Sequence, residues 1–117
     1  MAHRVLIVDD HAEFRALARA MLERGGFEVV GEAVDGAETL TAVARIRPEV
    51  VLLDVQLPDV DGFEVAGLLT ANGSAPAVVL VSSRDAADYG ELIGSSGARG
   101  FVPKDELSGA AVRALLG

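Results

Sequence analysis

Short apolar runs alternate along this chain with stretches in which apolar residues recur every three or four positions. The runs lie at residues 5–8, 27–30, 50–53, 77–81 and 99–102. Runs of this length bounded by turn formers predict strands, and those apolar at consecutive positions, 5–8, 50–53 and 77–81, predict burial on both faces. Between the first two, Phe14, Leu17, Ala18, Met21 and Leu22 fall at i, i+3, i+4, i+7 and i+8, one face of a helix that Gly25-Gly26 stops. Ala37, Leu40 and Ala44 begin a second stripe, closed by Pro48, and a third helix is expected over 62–71, ended by Asn72-Gly73. Leu107, Ala110, Ala111, Ala114 and Leu115 form the last helical face. The segment 85–97 is the weakest, because it carries Gly90, Gly94, Ser95 and Ser96. Each interior glycine costs about 1 kcal/mol against alanine. Only Tyr89, Leu92 and Ile93 supply a buried stripe there, so this helix is expected to be the least stable and the easiest to move. Five βα units with strands buried on both sides predict an α/β fold, a doubly wound parallel five-stranded sheet, in one domain over 1–117.

Composition adds exclusions. Half of the 117 residues are hydrophobic, enough for a core without covalent staples, and the absence of cysteine excludes disulfides, thiolate metal sites and cysteine nucleophiles. No apolar run approaches a membrane span, and the run after Arg4 is too short for a signal peptide, so a cytoplasmic protein with no membrane partner is expected. The formal charge of −8 argues against direct nucleic acid binding by this domain. The acid serves either solubility or a cation site, and its position along the chain decides between them.

In open parallel sheets, ligands bind beyond the carboxyl ends of the strands. Asp9 and Asp10 follow the first run, Asp54 the third, Ser82 and Ser83 the fourth, and Lys104 lies beyond the fifth. The fold would bring three carboxylates, a hydroxyl and an ammonium to one edge. Two like charges about 4 Å apart at an effective dielectric near 20 repel by roughly 4 kcal/mol. A divalent cation offsets that, and an all-oxygen site suits magnesium or manganese rather than zinc. A hard cation beside a carboxylate is a setting for phosphoryl transfer to that carboxylate. Some of these residues have structural readings as well. Asp10, Asp35 and Asp61 each precede a glutamate by three positions, the spacing of a capping box. For Asp35 and Asp61 the cap is preferred; for Asp10 a cap and a ligand are compatible. Asp105 is expected to cap the last helix. His11 reads as a proton donor, a metal neighbour or an exposed first-turn residue, the last being preferred.

The motifs LIVDDH at 6–11, VVLLDVQLPDVDGFE around Asp54, VVLVSS at 78–83 and GFVPKDEL at 100–107, in this order, resemble the receiver domain of two-component response regulators. The resemblance covers essentially the whole chain. It implies a flavodoxin-like (βα)5 fold with strand order 2-1-3-4-5. It implies that Asp54 is the phosphoacceptor and that Asp9, Asp10, Asp54 and the Gln56 backbone carbonyl bind Mg2+, with Mn2+ as the alternative. Ser82 and Lys104 are then the phosphate-contacting residues. Ser82 and Phe101 form the switch, although Phe101 also reads as ordinary core, and Gln56 and Arg84 tune dephosphorylation. The implied partners are a sensor histidine kinase and an output domain or effector protein. A phosphorylation-dependent dimer through the face of the fourth helix, fifth strand and fifth helix is also implied. No enzymatic activity is implied beyond Mg-dependent self-phosphorylation and autodephosphorylation. Two features depart from the common pattern: Pro103 precedes Lys104, which Asp105 follows where many receivers have proline, and phenylalanine stands at the switch position where tyrosine is common. The alternatives are a pseudo-receiver interaction module that is not phosphorylated, and a flavodoxin or aspartate-based phosphatase. Asp9-Asp10 would repel a cofactor phosphate, and Asp54-Val55-Gln56 lacks the second aspartate of the phosphatases. The chain stops after the last helix without a helix-turn-helix segment, so a stand-alone receiver and a piece of a longer regulator both remain open. GFVPKDEL is similar to the segment of receivers that carry helix-turn-helix outputs.

Overall fold

The apolar runs at 5–8, 50–53 and 77–81 leave no polar face on their strands, and the chain solves this by covering the sheet from both sides. The computed structural model describes residues 2–71 and 76–117. Strands β1 (Arg4–Val8), β2 (Glu28–Ala33), β3 (Val50–Asp54), β4 (Ala77–Ser82) and β5 (Gly100–Pro103) form one sheet in the order β2-β1-β3-β4-β5, every neighbouring pair parallel. Helices α1 (Ala12–Arg24), α2 (Gly36–Ile46), α3 (Gly62–Thr70), α4 (Leu92–Ser95) and α5 (Gly109–Leu116) connect and follow the strands. The expected (βα)5 architecture and strand order are present.

The period-two alternation of a strand divides the core in two. Val5, Ile7, Val50, Leu52, Val79, Val81 and Val102 meet Ala18 and Leu22 of α1 and Val112 of α5. Leu6, Val8, Val51, Leu53, Val78 and Leu80 meet Ala42 of α2 and Val65 and Ala66 of α3. Burying each such aliphatic side chain contributes roughly 1.5–3 kcal/mol. The register sets Val8 beside Leu53, Asp54 beside Val81 and Ser82 beside Pro103, so the carboxyl ends of the four strands form one continuous edge.

Several local expectations are corrected. Leu17, Leu40 and Leu92 are exposed rather than buried. Helix α2 buries Gly36, Thr39 and Ala42 instead of the face of Ala37, Leu40 and Ala44. Its N-terminus is fixed from outside the helix: Asp59 accepts from Gly36 N at 2.8 Å and Ala37 N at 3.0 Å, and a Cβ on Gly36 would run into Val60. The Thr39 hydroxyl donates to the Asp35 carbonyl, which lets a polar residue sit on the buried face. Helix α5 likewise buries Gly109 and Val112 while Ala110 and Ala114 face out. A Cβ on Gly109 would lie 2.9 Å from Gly25 Cα, so a glycine face allows the close approach of α5 to the end of α1.

Asp35 and Asp61 cap α2 and α3 through Glu38 N and Glu64 N. Asp10 caps nothing: His11 occupies the N-cap of α1 without a side-chain bond. Ser108 rather than Asp105 caps α5, its Oγ accepting from Ala111 N at 3.0 Å. The weak segment after β4 forms a 3-10 turn (Ala86–Asp88) and only the four-residue α4, broken at Gly90, whose φ of 57° lies in the left-handed region. The expected end of α3 at Asn72-Gly73 lies outside the described residues.

One glycine bears directly on the site. Gly62 N–H donates to the Val55 carbonyl at 2.6 Å, and a Cβ at Gly62 would meet the Asp54 carbonyl oxygen and approach Val55 Cα to 2.8 Å. Both obstacles are backbone at the end of a buried strand and yield little. Gly62→Ala is therefore expected to destabilise the domain by about 1–3 kcal/mol through overpacking. A lower urea midpoint at unchanged slope would report it; an unaltered midpoint would contradict it.

Candidate functional site

Parallel pairing of β1 with β3 puts the residues that follow them side by side. Asp9, just past β1, is fully buried, and Asp54, the last residue of β3, is 2% exposed. Carboxylates rarely occupy such positions without partners. Asp9 Oδ1 accepts from His11 N at 2.7 Å and lies 3.0 Å from His11 Nδ1. Its Oδ2 accepts no hydrogen bond of acceptable direction but sits 2.5 Å from Lys104 Nζ, an ion pair. Asp54 Oδ1 accepts from Gln56 N at 3.2 Å, and its Oδ2 is 3.4 Å from the same Lys104 Nζ. Lys104 reaches in from a 3-10 turn (Lys104–Glu106) that follows β5, with Nζ 4.4 Å from the centre of the Phe14 ring. The side chain thus lies along apolar surface with its charge between two carboxylates.

The two aspartates differ electrostatically. Burial works to raise the pKa of Asp9, but the contact with Lys104 and the His11 backbone N–H outweigh it and hold the pKa below the ordinary value of 3.8. For Asp54, burial and then the Asp9 charge dominate, and its pKa is pushed up to about 6 despite Gln56 N–H and Lys104. One lysine cannot neutralise both partners equally, and the closer one keeps its charge more readily.

Asp10 is exposed at the mouth of the site, its Oδ1 3.1 Å from His11 Nδ1. One ligand atom from each of Asp9, Asp10, His11 and Asp54 lies within 4.8 Å of the others, a cluster able to hold a metal ion. The donor set fits a hard divalent cation: three carboxylates face one ammonium, and the buried Asp9 Oδ2 has no directed hydrogen bond.

Ser82 is fully buried at the end of β4 and makes its hydrogen bonds away from the carboxylates. Arg84 N–H donates to its Oγ at 3.1 Å, and Tyr89 Oη lies 2.6 Å from it. Phe101 on β5 is half-buried, its ring 5.8 Å from that of Tyr89. The Gln56 and Arg84 side chains are exposed, and both residues enter the site through their backbone N–H groups. Ser83 is exposed as well.

The sequence pattern marks Phe14 and Tyr89 only as helical-stripe residues and singles out neither Arg15 nor Asp59. Arg15 Nη1 donates to the Asp9 carbonyl at 2.7 Å while its Nε pairs with Glu32. Asp59 ties the turn after β3 to α2. Phe14 and Arg15 both lie in the first turn of α1, after Asp9 and Asp10, and Asp59 follows Asp54 by five residues.

Two buried carboxylates, an exposed third, a lysine and a hydroxyl thus gather at the carboxyl edge of a (βα)5 sheet, and sequence and structure comparisons point to one family with this fold. The model of the response regulator receiver domain matches residues 5–115. A putative transcriptional regulator of Pseudomonas aeruginosa is 38% identical over 88% of this chain and 50% of its own length. BvgA of Bordetella pertussis, a putative positive transcription regulator of virulence factors, is 36% identical over 91% of this chain and 51% of its own. Among solved structures, the receiver domain of the putative response regulator NarL from Mycobacterium tuberculosis superposes with a TM-score of 0.87 at 34% identity, covering 99% of this chain and 98% of that one. The chain belongs to the response regulator receiver domain family. It spans about half the length of the curated relatives it matches. No helix among the described residues is long and apolar enough to cross a membrane.

Proposed function

We propose that this domain, residues 1–117, is a phosphorylation-dependent switch in which Asp54 accepts a phosphoryl group from the phosphohistidine of a sensor histidine kinase. The observation that carries this reading is Lys104 Nζ set between Asp9 and Asp54 at 2.5 and 3.4 Å, beside a buried Asp54 whose ionisation is perturbed. An Asp54 carboxylate oxygen forms a bond to phosphorus as the bond from phosphorus to the donor imidazole nitrogen breaks, and the imidazole leaves with the electron pair. Lys104 is placed to hold a phosphoryl oxygen, and the Ser82 hydroxyl to donate to another after turning. Mg2+, or Mn2+, held by Asp9, Asp10, Asp54 and the Gln56 carbonyl, supplies neutralising charge for the incoming phosphoryl oxygens. Water then returns the carboxylate by hydrolysis, with Gln56 and Arg84 at the approach. No other enzymatic activity is assigned.

The phosphoryl group, carrying about −1.5 to −2 in place of the carboxylate's single charge, shifts the surface of α4, β5 and α5, the face proposed for a phosphorylation-dependent dimer or for an output domain. A relative in Mycobacterium leprae, MtrA, is described as a DNA-binding response regulator, which supports a nucleic acid output outside this acidic domain. The compartment proposed is the cytoplasm.

The test is incubation with acetyl phosphate, with and without magnesium, read by intact mass. A phosphoryl adduct that needs the metal is expected; no adduct would favour a pseudo-receiver module. Asp10 offers a clean probe of the cation because it is exposed. Asp10→Asn is expected to leave metal-free stability within about 0.5 kcal/mol, as surface changes do. It should also shrink the rise in Tm that magnesium produces in the wild type. An undiminished magnesium response would remove Asp10 from the site.

A further inference from the structure

Ser82 Oγ already has two partners. A serine hydroxyl offers one proton and two lone pairs. Arg84 N–H takes one lone pair, and the contact with Tyr89 Oη at 2.6 Å uses either the proton or the second lone pair. Ser82 is fully buried, so no bulk water competes for these positions. Where the serine proton goes to Tyr89 Oη, donating it to a phosphoryl group on Asp54 requires the Tyr89 contact to lengthen or reorient.

The Tyr89 ring is held in turn by two others. Phe63 of α3 meets it edge-on with centroids 5.3 Å apart, and Phe101 of β5 lies at 5.8 Å. Tyr89 stands between the 3-10 turn (Ala86–Asp88) and Gly90, in the least regular stretch of the described chain. A single side chain therefore touches the hydroxyl at the site, the helix after β3, the strand β5 and the start of the α4 segment. Phe101 has no hydroxyl and makes no such bond to Ser82.

We propose that Tyr89 is the positioning residue for Ser82: its hydroxyl holds Ser82 Oγ off Asp54 in the unphosphorylated protein, and its ring carries the change to α4 and β5 when Ser82 turns. This rests on Asp54 being the phosphoacceptor. The exchange has a direction, because a hydrogen bond to a charged phosphoryl oxygen is roughly twice as strong as one between neutral hydroxyls.

The protein supplies its own reporter, since Tyr89 is its single tyrosine and it has no tryptophan. Ultraviolet difference absorption and tyrosine fluorescence therefore read this side chain alone. The experiment treats the wild type, Ser82→Ala and Tyr89→Phe with acetyl phosphate and magnesium, with magnesium alone as control, and follows intact mass and tyrosine spectra together. In the wild type, the spectral change should grow in step with the adduct and not with magnesium alone. Ser82→Ala should show a shifted tyrosine spectrum before any phosphate is added. Tyr89→Phe keeps the ring and frees the serine, and should take up phosphate about fivefold faster, the size expected for losing one competing neutral hydrogen bond. An adduct that forms with no change in the tyrosine spectrum would overturn the proposal while leaving the acceptor reading intact. So would an unshifted spectrum in Ser82→Ala, or an unchanged uptake rate in Tyr89→Phe. No adduct in the wild type would remove the acceptor reading and this proposal with it.

Discussion

Asp54→Asn is expected to take up no phosphoryl group and yet to melt several degrees above the wild type in magnesium-free buffer at neutral pH. The loss follows because the amide has no nucleophilic carboxylate oxygen. The gain follows from what the carboxylate costs the folded state. Burial, then the neighbouring Asp9, moves Asp54 from the ordinary 3.8 to about 6. A rise of that size corresponds to roughly 2–3 kcal/mol of destabilisation once the group is ionised. Asparagine keeps the volume and still accepts from Gln56 N–H. The sign with pH is definite. Below pH 3.8 Asp54 is protonated in folded and unfolded chains, and no penalty exists. It grows as pH rises between 3.8 and about 6 and is complete above that. The difference in Tm between variant and wild type should therefore appear near neutrality and vanish toward pH 3.5. A variant less stable than the wild type at pH 7 would refute this account of the site.

Lys104→Met is expected to destabilise the protein by about 3–5 kcal/mol in the absence of divalent cation, the range for removing one partner of a buried ion pair. Asp9 is fully buried and has its Oδ2 against Lys104 Nζ. Methionine fills the channel beside Phe14 but leaves two carboxylates facing each other. In the wild type, the lowered Asp9 pKa gives stability that is present above the ordinary value of 3.8 and lost as pH falls from there through the lowered folded pKa. The variant should lack that rise and be closest to the wild type in acid. Millimolar magnesium should restore part of the loss, because the cation and the lysine neutralise the same charges. Urea unfolding with and without magnesium measures both effects. A loss below about 1 kcal/mol, or one that magnesium leaves unchanged, would show that Lys104 does not act as the counter-charge.

The strands were legible because a strand buried on both faces leaves a continuous apolar run, as at Val50 to Leu53. Their ends were legible for the complementary reason that the run stops at a charge: Asp9, Asp54 and Lys104 all sit at or just beyond strand ends. The caps of α2 and α3 were local too, since Asp35 and Asp61 reach backbone N–H groups only three residues away. The buried faces of α2 and α5 were not. They are built from Gly36, Thr39, Ala42 and Gly109, whose small side chains give little amphipathic signal, and their choice depends on Asp59 and Gly25 elsewhere in the chain.

The sequence by itself determined that Asp54 ends a buried strand and that Asp9, Asp10, Ser82 and Lys104 end or follow others, because burial writes its pattern into consecutive residues. The tertiary structure alone decided how those groups divide their partners. Lys104 lies closer to Asp9 than to Asp54, and Ser82 is bound to Tyr89 rather than to the carboxylates. These are distances between side chains on different elements, set by strand register and by which helix face packs, and no local pattern of residues encodes them.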